Sequence, residues 1–332
     1  MPVPETDQQW LDAVDRLQPV PAAYRVGTIS LTEAAKQLGC SVEQVAALIE
    51  AGLPAEQTPD GPMLDYHDVS NIGLVSGTGK SLAEQSERRL MRMAAGSPDA
   101  WLAERSWRIK LIAECTADDC TGEPPAAPAP ELLDGRLRQL DRDSGQSCEA
   151  IAEFDTRGGH DEPRTAAVRA VFDELFTGLT TGYYQFSWLP RTLRAEPAVA
   201  ARHRMVDCVV AAWLMRERAA GAGLQARTRK GYLLGMIGVE HAWTEVLEEG
   251  RWLPLDPILA FLALRQPASN PEFTSFCRGS VHNRLLGWPA AADEPLTEHA
   301  CAHGGRLQES CRQLPAAQPA PPAAVATAGR ES

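Results

Sequence analysis

The chain has 332 residues, 44% of them hydrophobic, with 44 acidic against 32 basic side chains and a formal net charge of −12. Length and apolar content predict two domains with real cores and exclude a wholly disordered chain. So acidic a surface repels phosphate backbones unless basic residues cluster, which disfavours nucleic acid as a partner.

The opening residues, MPVPETDQQW, hold neither a basic nor an apolar run, so no signal peptide is expected there. No stretch approaches the roughly 18 apolar residues of a membrane span. Eight cysteines at irregular spacings predict reduced thiols and a cytoplasmic protein.

Residues 1–26 form a lead to a small, mainly α domain over 27–120. Ser30 to Glu33 is a capping-box pattern opening a helix that Gly39 closes, and Ser41 to Gln44 is a second such box. Val42, Val45, Ala46, Leu48 and Ile49 then form a helical apolar stripe ending at Gly52. Two short helices parted by Gly39-Cys40 predict a helix-turn-helix. The stretch resembles the MerR and excisionase modules. Its second helix carries Glu43 and Glu50 and no Lys or Arg. DNA contacts through residues 30–55 would therefore need support from 80–92, at Lys80, Arg88, Arg89 and Arg92. A docking or dimerisation module is the preferred expectation.

Ser76 to Ser81 (SGTGKS) lacks the first glycine of a phosphate-binding loop and predicts a turn before a helix. Residues 99–111 predict a helix or a strand after a turn at Ser97-Pro98. Residues 121–135, rich in Pro and Ala at their start, predict a linker, and 313–332 a disordered tail.

The second domain spans 136–312. Helical periodicity marks Ala166 to Leu175 and, more strongly, Cys208 to Arg218. After Gly221 and Gly223 the period becomes two, and strands are expected near 224–232, 239–247 and 251–255, the last two joined by a turn at Glu248-Glu249-Gly250. One helix followed by an antiparallel meander predicts an α+β fold.

Three blocks within this domain resemble the transglutaminase-like superfamily. Gly223-Leu224-Gln225-Ala226-Arg227 with Lys230-Gly231-Tyr232 is similar to its G-I-P-A-R and G-Y segments. His241-Ala242-Trp243-Thr244-Glu245-Val246 is similar to H-A-W-x-E-V, and Trp252 to Pro257 to W-x-x-x-D-P. Cys208 lies fifteen residues before Gly223, where the family places its nucleophile at a helix start. The resemblance implies a papain-like core with Cys208 at a helix N-terminus and an antiparallel sheet carrying His241 and Asp256. The chemistry of those residue types agrees. A cysteine at a helix start faces unpaired N–H groups and the positive dipole end, which favour thiolate. An imidazole beside it can take and return the proton.

A hairpin turn centred between Glu248 and Glu249 gives a register in which paired residue numbers sum to 497, setting His241 directly opposite Asp256. Opposed side chains have Cβ atoms about 4.5–5.5 Å apart, so the carboxylate can orient the ring. Cys208, His241 and Asp256 are thus the expected catalytic residues. For the oxyanion, the Cys208 N–H is one donor; Gln185 and Trp188 are candidates for the second, and Trp243 and Trp252 are expected as core and pocket walls. His299-x-Cys301-x-His303 can share one strand face, but neither it nor Cys115, Cys120, Cys277 and His282 matches a zinc spacing. No metal and no cofactor are expected. The expected activity is acyl transfer, amide formation or amide hydrolysis through an acyl-thioester, on a small-molecule, peptidyl or carrier-bound acyl substrate. The alternatives are a cysteine peptidase of the same fold and a regulator acting through the helix-turn-helix module.

Overall fold

The computed structural model describes residues 5–117, 130–132, 135–143, 148–235, 238, 240–294, 296, 299, 301 and 307–315. Of the expected linker at 121–135, residues 121–129 and 133–134 lie outside the described residues, as do residues 316–332 of the expected tail at 313–332, Cys120 and His303; Gly135 and Gln313 belong to strands.

The two predicted N-terminal helices form at Leu31–Leu38 and Val42–Glu50, each opened by a complete capping box, on Ser30 with Glu33 and on Ser41 with Gln44. Gly39 ends the first in the left-handed conformation, φ 69°. Helices Glu5–Arg16 and Tyr66–Ser76 pack around this pair. Trp10, Leu38, Leu48, Leu64 and Ile72 make their shared core. A three-stranded sheet (Gly27–Ser30, Gly61–Asp65, Glu56–Thr58) completes this part. The SGTGKS segment is a turn leading into helix Leu82–Leu90, capped by Ser81. Residues 99–111 contain both expected alternatives, the short helix Pro98–Leu102 and then strand Arg105–Cys115.

Helix and sheet are mixed in the remainder, in two antiparallel four-stranded sheets. The first runs Arg251–Leu255, Glu240–Glu248, Ala226–Leu233, Leu285–Trp288. The second runs Leu307–Gln313, Arg105–Cys115, Cys148–Thr156, Gly135–Asp143. Trp107, Ile109, Ala152 and Phe154 of the second pack on Tyr232, Leu286 and Trp288 of the first. Helices Ala166–Thr180, Cys208–Gly221 and Pro257–Leu264 share one large apolar core with Leu233, Trp243, Val246 and Leu255 of the first sheet. The first sheet is therefore covered on both faces, and in strand Glu240–Glu248 the residues from His241 to Val246 are all buried.

The hairpin register differs from expectation. Thr244 pairs with Leu255 and Glu248 with Arg251, so paired numbers sum to 499. The loop is Glu249-Gly250, with φ 49° and 78°. Two positive φ angles match the right-handed twist of the flanking strands, and that match fixes the two-residue loop one position further along. The shift by two preserves which residues share a face, but His241 is not directly opposite Asp256. Asp256 also lies one residue past its strand, as the cap of the next helix. No helix among the described residues is long and apolar enough to cross a membrane.

Candidate active site

Cys208 is the first residue of a fourteen-residue helix. Asp207 starts that helix: its Oδ1 accepts from the Val210 N–H at 2.9 Å. Its Oδ2 accepts from Arg194 Nε at 2.6 Å. The helix lies on strand Glu240–Glu248, where the Thr244 hydroxyl donates to the Ala212 carbonyl at 2.9 Å. Val209, Ala212 and Ala242 fill the contact beside Cys208. Small side chains let the helix approach closely, which brings the sulfur to the His241 ring.

His241 Nε2 donates to Asp256 Oδ2 at 2.5 Å. Cys208 lies near enough to the ring to favour its charged form, and with Nε2 held by the carboxylate, Nδ1 is the nitrogen left for the sulfur. Burial lowers the imidazole pKa, but the charge and hydrogen bond of Asp256, followed by contact with Cys208, outweigh it and push it up to about 10. Asp256 uses both oxygens. While Oδ2 holds the ring, Oδ1 accepts from the Leu259 N–H at 2.9 Å. Its own N–H donates to the Cys277 carbonyl at 3.0 Å. The carboxylate is 2% exposed, so it is fixed against solvent and against rotation. Ring and carboxylate meet across a diagonal of the hairpin instead of the direct pair.

Cys208 and His241 open onto a cavity of about 470 Å³. Leu233, Ile258, Leu259 and Leu262 give it an apolar wall, Arg194 and Glu240 bring charge, and Ser86, Arg89 and Leu90 close it from the N-terminal side. Trp188 lines it too. Short parallel strands explain why: Gln185 pairs with Met205 and Phe186 with Val206. The Ser187 N–H extends the ladder to the Val206 carbonyl at 2.9 Å. Continued by two residues, that register sets Trp188 beside Cys208.

The other candidate donor, Gln185, and the two tryptophans expected as walls are engaged elsewhere. Gln185 Nε2 donates to the Arg16 carbonyl at 2.8 Å, and its Oε1 accepts from the Gln18 N–H at 2.8 Å. Trp243 is buried, donates its indole N–H to Glu245 Oε1 at 3.0 Å, and stacks near the His241 ring with centroids 6.4 Å apart. Trp252 lies under the Arg227 guanidinium, 4.2 Å from its ring centroid. Glu245 accepts from Arg227 Nε at 2.7 Å.

Three contributors were not found by sequence reasoning. Arg194 pins Asp207. Asn71, from the N-terminal part, clamps the Trp188 backbone: its Oδ1 accepts from the Trp188 N–H at 2.7 Å, and its Nδ2 donates to the Trp188 carbonyl at 3.0 Å. The helix Pro257–Leu264 supplies cavity wall. Only the last had a readable signal, since Asp256-Pro257 before an apolar run is a helix-start pattern. His299 and Cys301 do not line the cavity; they lie beside Cys115.

Among solved structures, a candidate cysteine protease from Cytophaga hutchinsonii overlays at a TM-score of 0.30 and 12% identity, covering 64% of this chain and 93% of that one. A crystal structure of a TGase overlays at 0.22 and 11% identity, covering 39% of this chain and 44% of that one. No curated protein matches the chain. Residues 152–257 match the transglutaminase core model, described as the transglutaminase-like superfamily. That span holds Cys208, His241 and Asp256, so the segment that builds the site is transglutaminase-like.

Proposed function

We propose that the protein is a cysteine acyl-transfer enzyme with a papain-like arrangement, in which Cys208 is nucleophile, His241 base and acid, and Asp256 the orienting carboxylate. The observation that carries this reading is the buried hydrogen bond between Asp256 and His241, with Cys208 beside that ring on the wall of one cavity. In the first half-reaction the Cys208 sulfur attacks the carbonyl carbon of an amide or thioester, and the carbonyl π pair moves to oxygen. The Cys208 N–H, in the first turn of its helix, has no acceptor within that helix and is aimed at this oxyanion. The Trp188 indole is the second donor. The intermediate collapses, the leaving group takes the His241 proton, and a Cys208 acyl-thioester remains. An amine or water then attacks, gives its proton to His241, and expels the sulfur as thiolate. The apolar wall suits an acyl chain or apolar side chain, and Arg89, Arg194 and Glu240 suit polar groups at its rim.

The N-terminal part acts as a docking module for the catalytic half. The clamp on Trp188 by Asn71, from helix Tyr66–Ser76, supports that role, and the two glutamates and missing basic residues of helix Val42–Glu50 disfavour DNA.

Iodoacetamide labelling followed residue by residue by mass spectrometry tests the reading. Cys208 is expected to label far faster than Cys40, Cys115 or Cys301, with His241→Ala erasing the preference. Equal labelling of the half-buried thiols in the unmodified protein would overturn it.

A further inference from the structure

Away from the cavity, a second group of reactive side chains assembles from distant parts of the chain. Cys115 ends strand Arg105–Cys115 of the second sheet. His299 and Cys301 come 184 and 186 residues later. One donor atom from each lies within 4.8 Å of the other two, and all three residues are half-buried. A helix or a single hairpin does not force this meeting; tertiary structure makes it. The chain then begins strand Leu307–Gln313 six residues after Cys301, and Leu307 pairs with Cys115. The segment bearing two of the donors is therefore tied at its far end to the third.

We propose that Cys115, His299 and Cys301 bind zinc. Two thiolates and an imidazole are soft and borderline donors, which select zinc over magnesium or calcium. Tetrahedral zinc, at about 2.3 Å from sulfur and about 2.0–2.1 Å from nitrogen, draws its donors to within about 4 Å of one another. From within 4.8 Å, small side-chain rotations reach that spacing. The ion closes a loop between the second sheet and the segment after strand Leu285–Trp288, and holds that segment against the strand end. The site involves none of the acyl-transfer residues. Binding releases the two thiol protons to solvent and requires no redox partner.

The test uses the full chain, purified under reducing conditions and loaded with zinc or cobalt(II). One tightly held metal per chain is expected, with the near-ultraviolet thiolate-to-cobalt band and the visible bands of tetrahedral cobalt. Cys115→Ser and Cys301→Ser should each weaken cobalt binding by more than the roughly 10–100-fold that loss of an outer-shell partner costs. Cys208→Ser should leave the spectrum and affinity unchanged, separating this site from the nucleophile. Zinc should raise the midpoint of thermal unfolding and a chelator should lower it, which reads the site even where a variant folds poorly. No stoichiometric metal in the reduced protein would overturn the proposal. A cobalt spectrum lost in Cys208→Ser but kept in Cys115→Ser, or a Cys115–Cys301 disulfide with no metal uptake after reduction, would overturn it equally.

Discussion

His241 feels two opposed influences. Its burial disfavours the charged ring, while the Asp256 carboxylate and the nearby Cys208 favour it, and the second group prevails, lifting the pKa from 6.5 to about 10. A group whose folded-state pKa is raised contributes stability that is complete below its unfolded value and fades as pH climbs through the folded one. The His241 contribution is therefore full below about pH 6.5 and lost toward pH 10. Asp256→Asn isolates the cause. Asparagine keeps the cap on Leu259, since it is as good an N-cap as aspartate, but removes the charge. The His241 titration, followed by NMR of the ring proton, should move well below its native midpoint near 10. The fall in urea midpoint between neutral pH and pH 10 should shrink with it. An unmoved titration would mean that the carboxylate is not what charges the ring. All three of these residues were readable in sequence because each sits in a block with its own spacing. Their contact was only half readable. Strand parity was foreseen, but the turn that set the register depends on Glu249 adopting positive φ, a choice no residue type there announces.

The helix that presents Cys208 rests on Asp207, which serves one backbone amide and one guanidinium at once. Asp207→Ala should lower stability by about 0.5–2 kcal/mol through the lost cap, measured by urea unfolding, and slow Cys208 alkylation as the first turn frays. Asp207→Asn retains the cap and should recover most of the stability while still losing the charge facing Arg194. Equal losses in the two variants would locate the effect in the ion pair. Capping residues also explain what was legible among the elements. Ser30 and Ser41 announced their helices because a cap is a local device. The second sheet was not legible. Its strand Cys148–Thr156 turns Ala150, Ala152, Phe154 and Thr156 inward, and alanine and threonine make a faint apolar alternation. Of its two partner strands, 135–143 is its neighbour in sequence but 105–115 lies far away, so no hairpin signal joined all of them.

Across the molecule, the N-terminal part and the part that carries Cys208 share a core. Val20, Met91, Ala94 and Trp101 belong to the same apolar cluster as Val210, Trp243 and Leu259. Polar contacts cross the same boundary. Glu87 accepts from Arg265 Nε at 3.0 Å and from Gln266 Nε2 at 2.9 Å. Burial raises the Glu87 pKa while the Arg265 charge pulls it back. Asn71 satisfies both backbone groups of Trp188 across that boundary. A cavity whose wall comes from both parts keeps its shape only while they stay docked. Unfolding should therefore be one cooperative transition, with coincident urea curves from far-ultraviolet circular dichroism and from the exposure of the core thiol Cys277 to alkylation. Asn71→Ala strands an N–H and a carbonyl and should cost about 1–3 kcal/mol. It should also slow formation of the Cys208 acyl-thioester, trapped from a simple activated thioester and read by intact mass, because Trp188 is released. Iodoacetamide labelling of Cys208 needs no oxyanion donor and should change less. Two separate transitions, or an Asn71→Ala variant that acylates at the native rate, would mean that the N-terminal part is a bystander to the chemistry.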